Sequence, residues 1–277
     1  MPHAQRNGAE IYYETHGNGT PLLLIEGLGY GLWMWRAQVP FLEKKFRLIM
    51  PDNRGVGKST PLPGPYSMEN FARDALAVLD AEKVERAAVL GASMGGAIAQ
   101  SIAAIAPERL SALVLACTLP GGPESKNMPP ETLAEVTRRV EGESEPQRLL
   151  RTMSVAMTPG YPSAHAGVVD AILADRLASP TDGTQWMYQA MSGLGFDARE
   201  SDARVGVRTL ITTGTEDRVV PWTNSLLLYR LIPGSSLVLF RGQNHLHLIE
   251  RAPEFNQAVE EFLSASPAPN SFVREVG

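Results

Sequence analysis

The chain has 277 residues, 44% hydrophobic and 20% charged, with a formal net charge of -5. That length supports one large domain or a domain carrying an insertion, and the ordinary composition excludes disordered and fibrous classes. The acidic balance and the lack of any Lys/Arg-rich run exclude the electrostatic footprint of a nucleic-acid binder. Cys117 is the single cysteine, which rules out an intrachain disulfide and a multi-thiolate metal site and leaves it expected in the core. The N-terminal stretch carries Arg6, Glu10 and Glu14 and no continuous apolar region, and no run of about 18 apolar residues follows, so a cytoplasmic protein without a membrane partner is expected.

In chain order, residues 10–16 alternate apolar and polar like an edge strand, and Gly17-Asn18-Gly19 is turn chemistry. Residues 21–26 (Pro-Leu-Leu-Leu-Ile-Glu) form a short apolar run of the kind buried on both faces of a parallel sheet. The run ends in Gly27-Leu28-Gly29-Tyr30-Gly31. An amphipathic helix is expected over 33–45 and a strand over 46–50. The loop Asp52-Asn53-Arg54-Gly55-Val56-Gly57-Lys58-Ser59 invites a phosphate-binding reading, but Asp52 stands where the P-loop pattern needs glycine. A dinucleotide fingerprint fails at Leu32 or Met34 in the same way.

A helix with Ser67 as its cap is expected to Glu82, followed by a strand over 87–90 that stops at Gly91-Ala92-Ser93-Met94-Gly95. A helix-compatible run, Ala97 to Ala106, comes next. Gly-x-Ser-x-Gly is common by chance, but strand, sharp turn and helix in immediate succession describe a nucleophile elbow. There the serine hydroxyl stands over a helix N-terminus and the glycines relieve crowding two positions to either side.

Another buried strand follows over 112–116. Residues 119–203 then break the rhythm, with helical patterns near 130–140, 147–157, 163–177 and 183–194, and read as a helical cap insertion. Met153, Met157, Trp186, Met187 and Met191 are candidates for an adaptable apolar pocket, although for each one packing within the cap is the blander explanation. Strands resume over 207–212 and 236–240, with helices over 223–231 and 254–263. The expected architecture is α/β, a mostly parallel sheet flanked by helices. Its core comprises residues 1–118 and 204–264, its cap 119–203, and a loose tail 265–277.

With Ser93, Asp217 and His245 in view, the sequence resembles the α/β-hydrolase family over about residues 11–263, in a branch of serine esterases, enol-lactonases and cofactor-free haloperoxidases. The family orders its partners Ser, acid, His, each in a loop after a strand. Serine needs an imidazole to take its proton, and the imidazole needs an acceptor to fix its tautomer. Spacing within the family patterns favours His245 over His247 and Asp217 over Glu216. Asn244 replaces the second glycine of the family's Gly-x-Gly-His. The resemblance implies an oxyanion hole from the N–H groups of Leu28 and Met94, and a pocket near Gly29, Trp33, Val219 and Leu246. Glu26 stands where relatives usually carry His, and is expected to be buried and paired with Arg54. The implied activity is hydrolysis of a small, largely apolar carboxylic ester or lactone, without cofactor or metal. Perhydrolase or carbon–carbon hydrolase chemistry, or a small-molecule receptor retaining the triad, are the alternatives.

Overall fold

The computed structural model describes residues 2–266 and 271–277. In chain order the strands are β1 (His3–Arg6), β2 (Ala9–His16), β3 (Thr20–Ile25), β4 (Phe46–Pro51), β5 (Ala87–Ala92), β6 (Leu110–Ala116), β7 (Thr209–Gly214), β8 (Ser236–Phe240) and β9 (Val273–Val276). They form one sheet in the order β1-β2-β4-β3-β5-β6-β7-β8-β9, antiparallel at β1–β2 and β2–β4 and parallel from β4 through β3 onward. Residues 9–16 therefore lie inside the sheet, because His3–Arg6 supplies an outer strand too short for its alternation to stand out.

Successive side chains of a strand point to opposite faces. Leu23, Ile25, Val89, Leu113 and Ile211 enter one core layer, with helices α2 (Met68–Ala81), α3 (Met94–Ile105) and α10 (Thr223–Leu231) over it. Leu22, Leu24, Leu90, Val114 and Val238 enter the other, covered by a 3-10 segment Leu32–Ala37, helix α1 (Val39–Leu42) and helix α12 (Ala252–Ser264). Burial on both faces explains why these strands read as continuous apolar runs. Ser67 caps α2 in a reciprocal pair with Asn70, as its position suggested. The single helix expected over 33–45 is instead the 3-10 segment and α1, divided at Gln38, whose buried side chain donates to the Leu248 carbonyl at 2.7 Å.

Between β6 and β7 lie α4 (Pro130–Thr137), α5 (Glu145–Val155), α6 (Tyr161–Ala164), α7 (Ala166–Ala178), α8 (Gly183–Met191) and α9 (Arg199–Asp202). The short helix α11 (His247–Glu250) precedes α12. The tail corrects the sequence reading: Val273–Val276 pair with Leu237–Phe240 as β9, and Phe272 and Val276 pack on the core. An open edge at β8 gives this short β-branched segment a template that composition does not reveal. Residues 267–270 of that tail lie outside the described residues. Among the described residues no helix is long and apolar enough to cross a membrane.

Candidate active site

The parallel strands β3 to β8 all end at one edge of the sheet, and the loops leaving that edge carry Ser93, Asp217 and His245. Ser93 follows β5 with φ +55° and ψ -118°, a left-handed conformation costly for a non-glycine residue. Its N–H donates to Ala116 O at 2.8 Å and its carbonyl accepts from Thr118 Oγ1 at 2.8 Å, so the adjoining strand holds the turn. The flanking glycines are required: a Cβ on Gly91 would lie 2.2 Å from Gly95 O, and one on Gly95 would lie 2.0 Å from Ile25 O. Gly27 brings the next loop against the serine, since its Cβ would stand 3.3 Å from Ser93 Cβ and 3.8 Å from Ser93 Oγ.

Asp217 follows β7 and His245 follows β8. The carboxylate Oδ2 accepts from His245 Nδ1 at 2.8 Å, and Oδ1 accepts from the N–H groups of Val219 and Val220 at 2.8 and 2.9 Å. Both residues are buried, whereas Glu216 is exposed. His247, by contrast, is a core residue. Its ring contacts Phe240 and Phe255, Nε2 lies 3.1 Å from Thr212 Oγ1, and burial pushes its pKa down to about 4, leaving it neutral. Cys117, at the end of β6, is buried as expected, and its thiol is pushed well up by burial and then by the nearby Asp217 charge.

The loop after β3 offers free donors. Among the described residues the N–H groups of Leu28 and Met94 have no hydrogen-bond acceptor, and Leu28 and Ser93 are partly exposed. Glu26 is fully buried, as expected, but its partner is not Arg54. Its Oε1 accepts from Asn53 N–H at 2.6 Å, while Arg54 makes a bidentate pair with Asp74 at 2.6 and 2.7 Å. Asp74 projects from α2 directly onto the guanidinium, and a planar fork suits that geometry. Burial, and then the charge of Asp52, hold the Glu26 carboxyl well above the usual carboxylate range.

Two residues that sequence reasoning passed over organise these loops. Asn244 is fully buried. Its Oδ1 accepts from Arg218 N and His245 N, and its Nδ2 donates to Val155 O and Met157 O, at 2.7–3.0 Å. Its own N–H donates to Thr158 Oγ1 at 3.0 Å. The side chain that replaces glycine thus joins the acid loop and the histidine loop to the end of α5. The departure from Gly-x-Gly-His was the visible signal. Gln189 of α8 is the second: Oε1 accepts from Gly29 N–H at 2.9 Å, and Nε2 donates to Arg54 O at 3.1 Å.

The pocket expected from the methionines is not gathered in one place. Met153, Met157 and Leu246 lie in the core layer with Val169 and Ile172. Trp186, Met187 and Met191 are exposed, although Trp186 also leans on Gly29, where a Cβ would lie 2.7 Å from its Cδ1. The reason is that α8 docks by its polar face. Gln185, Tyr188, Gln189 and Ser192, at helical spacing, meet Tyr66, Gly64, Gly29 and Met68, so the methionines turn outward. Val219 lies beside Asp217, and Trp33 sits at the rim of the core in tilted ring contact with Tyr30.

Comparison with known proteins agrees with this fold. The family model described as alpha/beta hydrolase fold matches residues 20–252. A putative carbamate hydrolase RutD of Azorhizobium caulinodans is 34% identical over 241 residues, covering 86% of this chain and 88% of the relative. A 3-oxoadipate enol-lactonase of Acinetobacter baylyi is 27% identical, covering 90% and 91%. The crystal structure of the enol-lactonase from Burkholderia xenovorans LB400 superposes with a TM-score of 0.82 at 29% identity, covering 95% of this chain and 100% of that one. With its strand order, its elbow and its buried acid–histidine pair, the chain belongs to the α/β-hydrolase fold family.

Proposed function

We propose that this protein is a serine hydrolase that cleaves the carboxylic ester or lactone of a small, largely apolar substrate. The observation that carries the reading is the strained Ser93 elbow at the same sheet edge as a buried Asp217–His245 pair, on loops in the order Ser, Asp, His.

Ser93 Oγ attacks the substrate carbonyl while His245 Nε2 takes the hydroxyl proton. Asp217 orients the ring through Nδ1 and stabilises the imidazolium. The carbonyl oxygen, now an oxyanion, is met by the Leu28 and Met94 N–H groups, which have no other acceptor among the described residues. The tetrahedral centre collapses to an acyl-enzyme and expels the alkoxide, which leaves with the proton held by His245. In the second half, His245 takes a proton from water, the hydroxide equivalent attacks the acyl carbon, and Ser93 departs as the hydroxyl. The 119–203 segment acts as a cap over the sheet edge. Its hydrogen bonds to Gly29, Arg54 and the residue 244 loop support that role.

A short-chain p-nitrophenyl ester assay on the wild type, Ser93→Ala and His245→Ala tests the mechanism, and equal rates in all three overturn it. The names of the relatives set the arms of a substrate panel: simple esters, enol-lactones and carbamates.

A further inference from the structure

We propose that Gln189 is a positioning residue through which the docking of α8 sets the geometry of the oxyanion loop. This inference rests on the serine-hydrolase reading. The loop Gly27-Leu28-Gly29 supplies one oxyanion donor, the Leu28 N–H, and the next peptide plane is the one Gln189 holds. Its Oε1 takes the Gly29 N–H at 2.9 Å while its Nε2 reaches the Arg54 carbonyl at 3.1 Å. One planar amide therefore spans the loops after β3 and β4, and it is almost wholly buried, at 1% exposure.

Two further contacts from the same segment converge on Gly29. Thr181 Oγ1 donates to its carbonyl at 3.4 Å, and Trp186 occupies the space a Cβ would need. Gly29 has φ +69°, so it adopts the left-handed conformation and has no side chain of its own to hold it there. Glu26 does not supply that hold, because its carboxyl reaches Asn53. With the Leu28–Gly29 peptide held at its N–H and the following peptide contacted at its carbonyl, both from α8 and its approach, the direction of the Leu28 N–H follows the seating of the helix. Movement of α8 away from the sheet would release that peptide and unmake the hole, whereas Ser93, Asp217 and His245 are held by core strands and by Asn244.

The experiment compares the wild type, Gln189→Met, Gln189→Glu and Ser93→Ala on p-nitrophenyl acetate, whose small acyl group makes little use of the cap. Folded protein is verified by circular dichroism. In each folded Gln189 variant kcat should fall by about tenfold or more, below the effect of deleting an oxyanion donor outright, with KM changed less than about twofold. The affinity for a trifluoromethyl ketone, whose hemiketal oxygen occupies the hole, should fall in proportion to kcat. A merely structural glutamine would leave kcat per folded molecule and this proportionality untouched. The inference is overturned if kcat stays within twofold of wild type in either folded variant while Ser93→Ala is inactive. Activity in Ser93→Ala instead overturns the underlying mechanism.

Discussion

Asp202 closes the return from the inserted segment, in the short helix α9 that packs on the elbow helix α3. Its side chain is fully buried, and neither carboxyl oxygen has a hydrogen-bond partner among the described residues. Burial, and secondarily the charge of Asp197, push its pKa from 3.8 up to about 8. The folded chain therefore keeps this proton at neutral pH, while the unfolded chain loses it near the ordinary aspartate value. The stability that the proton contributes is fully present below about pH 3.8 and is lost progressively as pH rises toward 8. At about 1.4 kcal/mol per pKa unit, that window corresponds to on the order of 5 kcal/mol, a large share of the roughly 5–15 kcal/mol expected of a whole domain. Asp202→Asn keeps the shape and has no proton to lose. Urea unfolding of both proteins at about pH 4 and about pH 8 measures the difference directly, and titration of the other carboxylates cancels in the comparison. The wild type should lose several kcal/mol more than the variant across that interval. Parallel losses, within about 1 kcal/mol, would refute the reasoning.

Other substitutions probe the loops around the site. Asn244→Gly restores the family pattern but strips four side-chain hydrogen bonds from buried backbone groups. It should cost at least about 3 kcal/mol in urea unfolding and lower kcat/KM, and a cost under about 1 kcal/mol would show that the loops hold themselves. Glu26→Gln keeps an acceptor for the Asn53 N–H and should change stability at pH 7 by less than about 1 kcal/mol, whereas Glu26→Ala leaves that N–H buried and unpaired and should cost about 2–3 kcal/mol. Equal losses in the two variants would show that the bond to Asn53 is not what Glu26 contributes. Cys117, buried with its thiol pushed up, should react with a disulfide reagent only after denaturation, and rapid native labelling would mean that the loop after β6 opens.

Much of the core was legible because it obeys local rules. The strands before Ser93 and His245 are buried on both faces and carry apolar runs, the strand before Asp217 is equally buried but mixes threonine with leucine and isoleucine, and the elbow needs glycine at 91 and 95 for reasons of contact that any sequence with this turn must meet. The order of the three residues and the preference for Asp217 over Glu216 came from the pattern of the family the sequence resembles, and burial agrees with the choice of Asp217. What local pattern could not reach were partners distant in the chain. Glu26 chooses Asn53 over Arg54 because Asp74, on a helix between strands, already claims the guanidinium. The C-terminal strand exists because β8 offers an edge.

The inserted segment shows the same division most sharply. Helical periodicity located its four longer helices within a few residues but not the short α9, since repeat spacing is a property of the segment itself and needs more than one turn to show. Which face each helix turns to the sheet is decided by what waits there. For α8 the waiting groups are backbone N–H and C=O at Gly29 and Arg54, buried polar atoms that must be paired, so glutamine faces inward and methionine outward. Sequence by itself determined the central strands and the turn at Ser93, and the family pattern it resembles supplied the order of the acid and the histidine. Only the tertiary structure decided how the loops bearing them are held, because those hydrogen bonds join residues separated by as many as 160 positions in the chain.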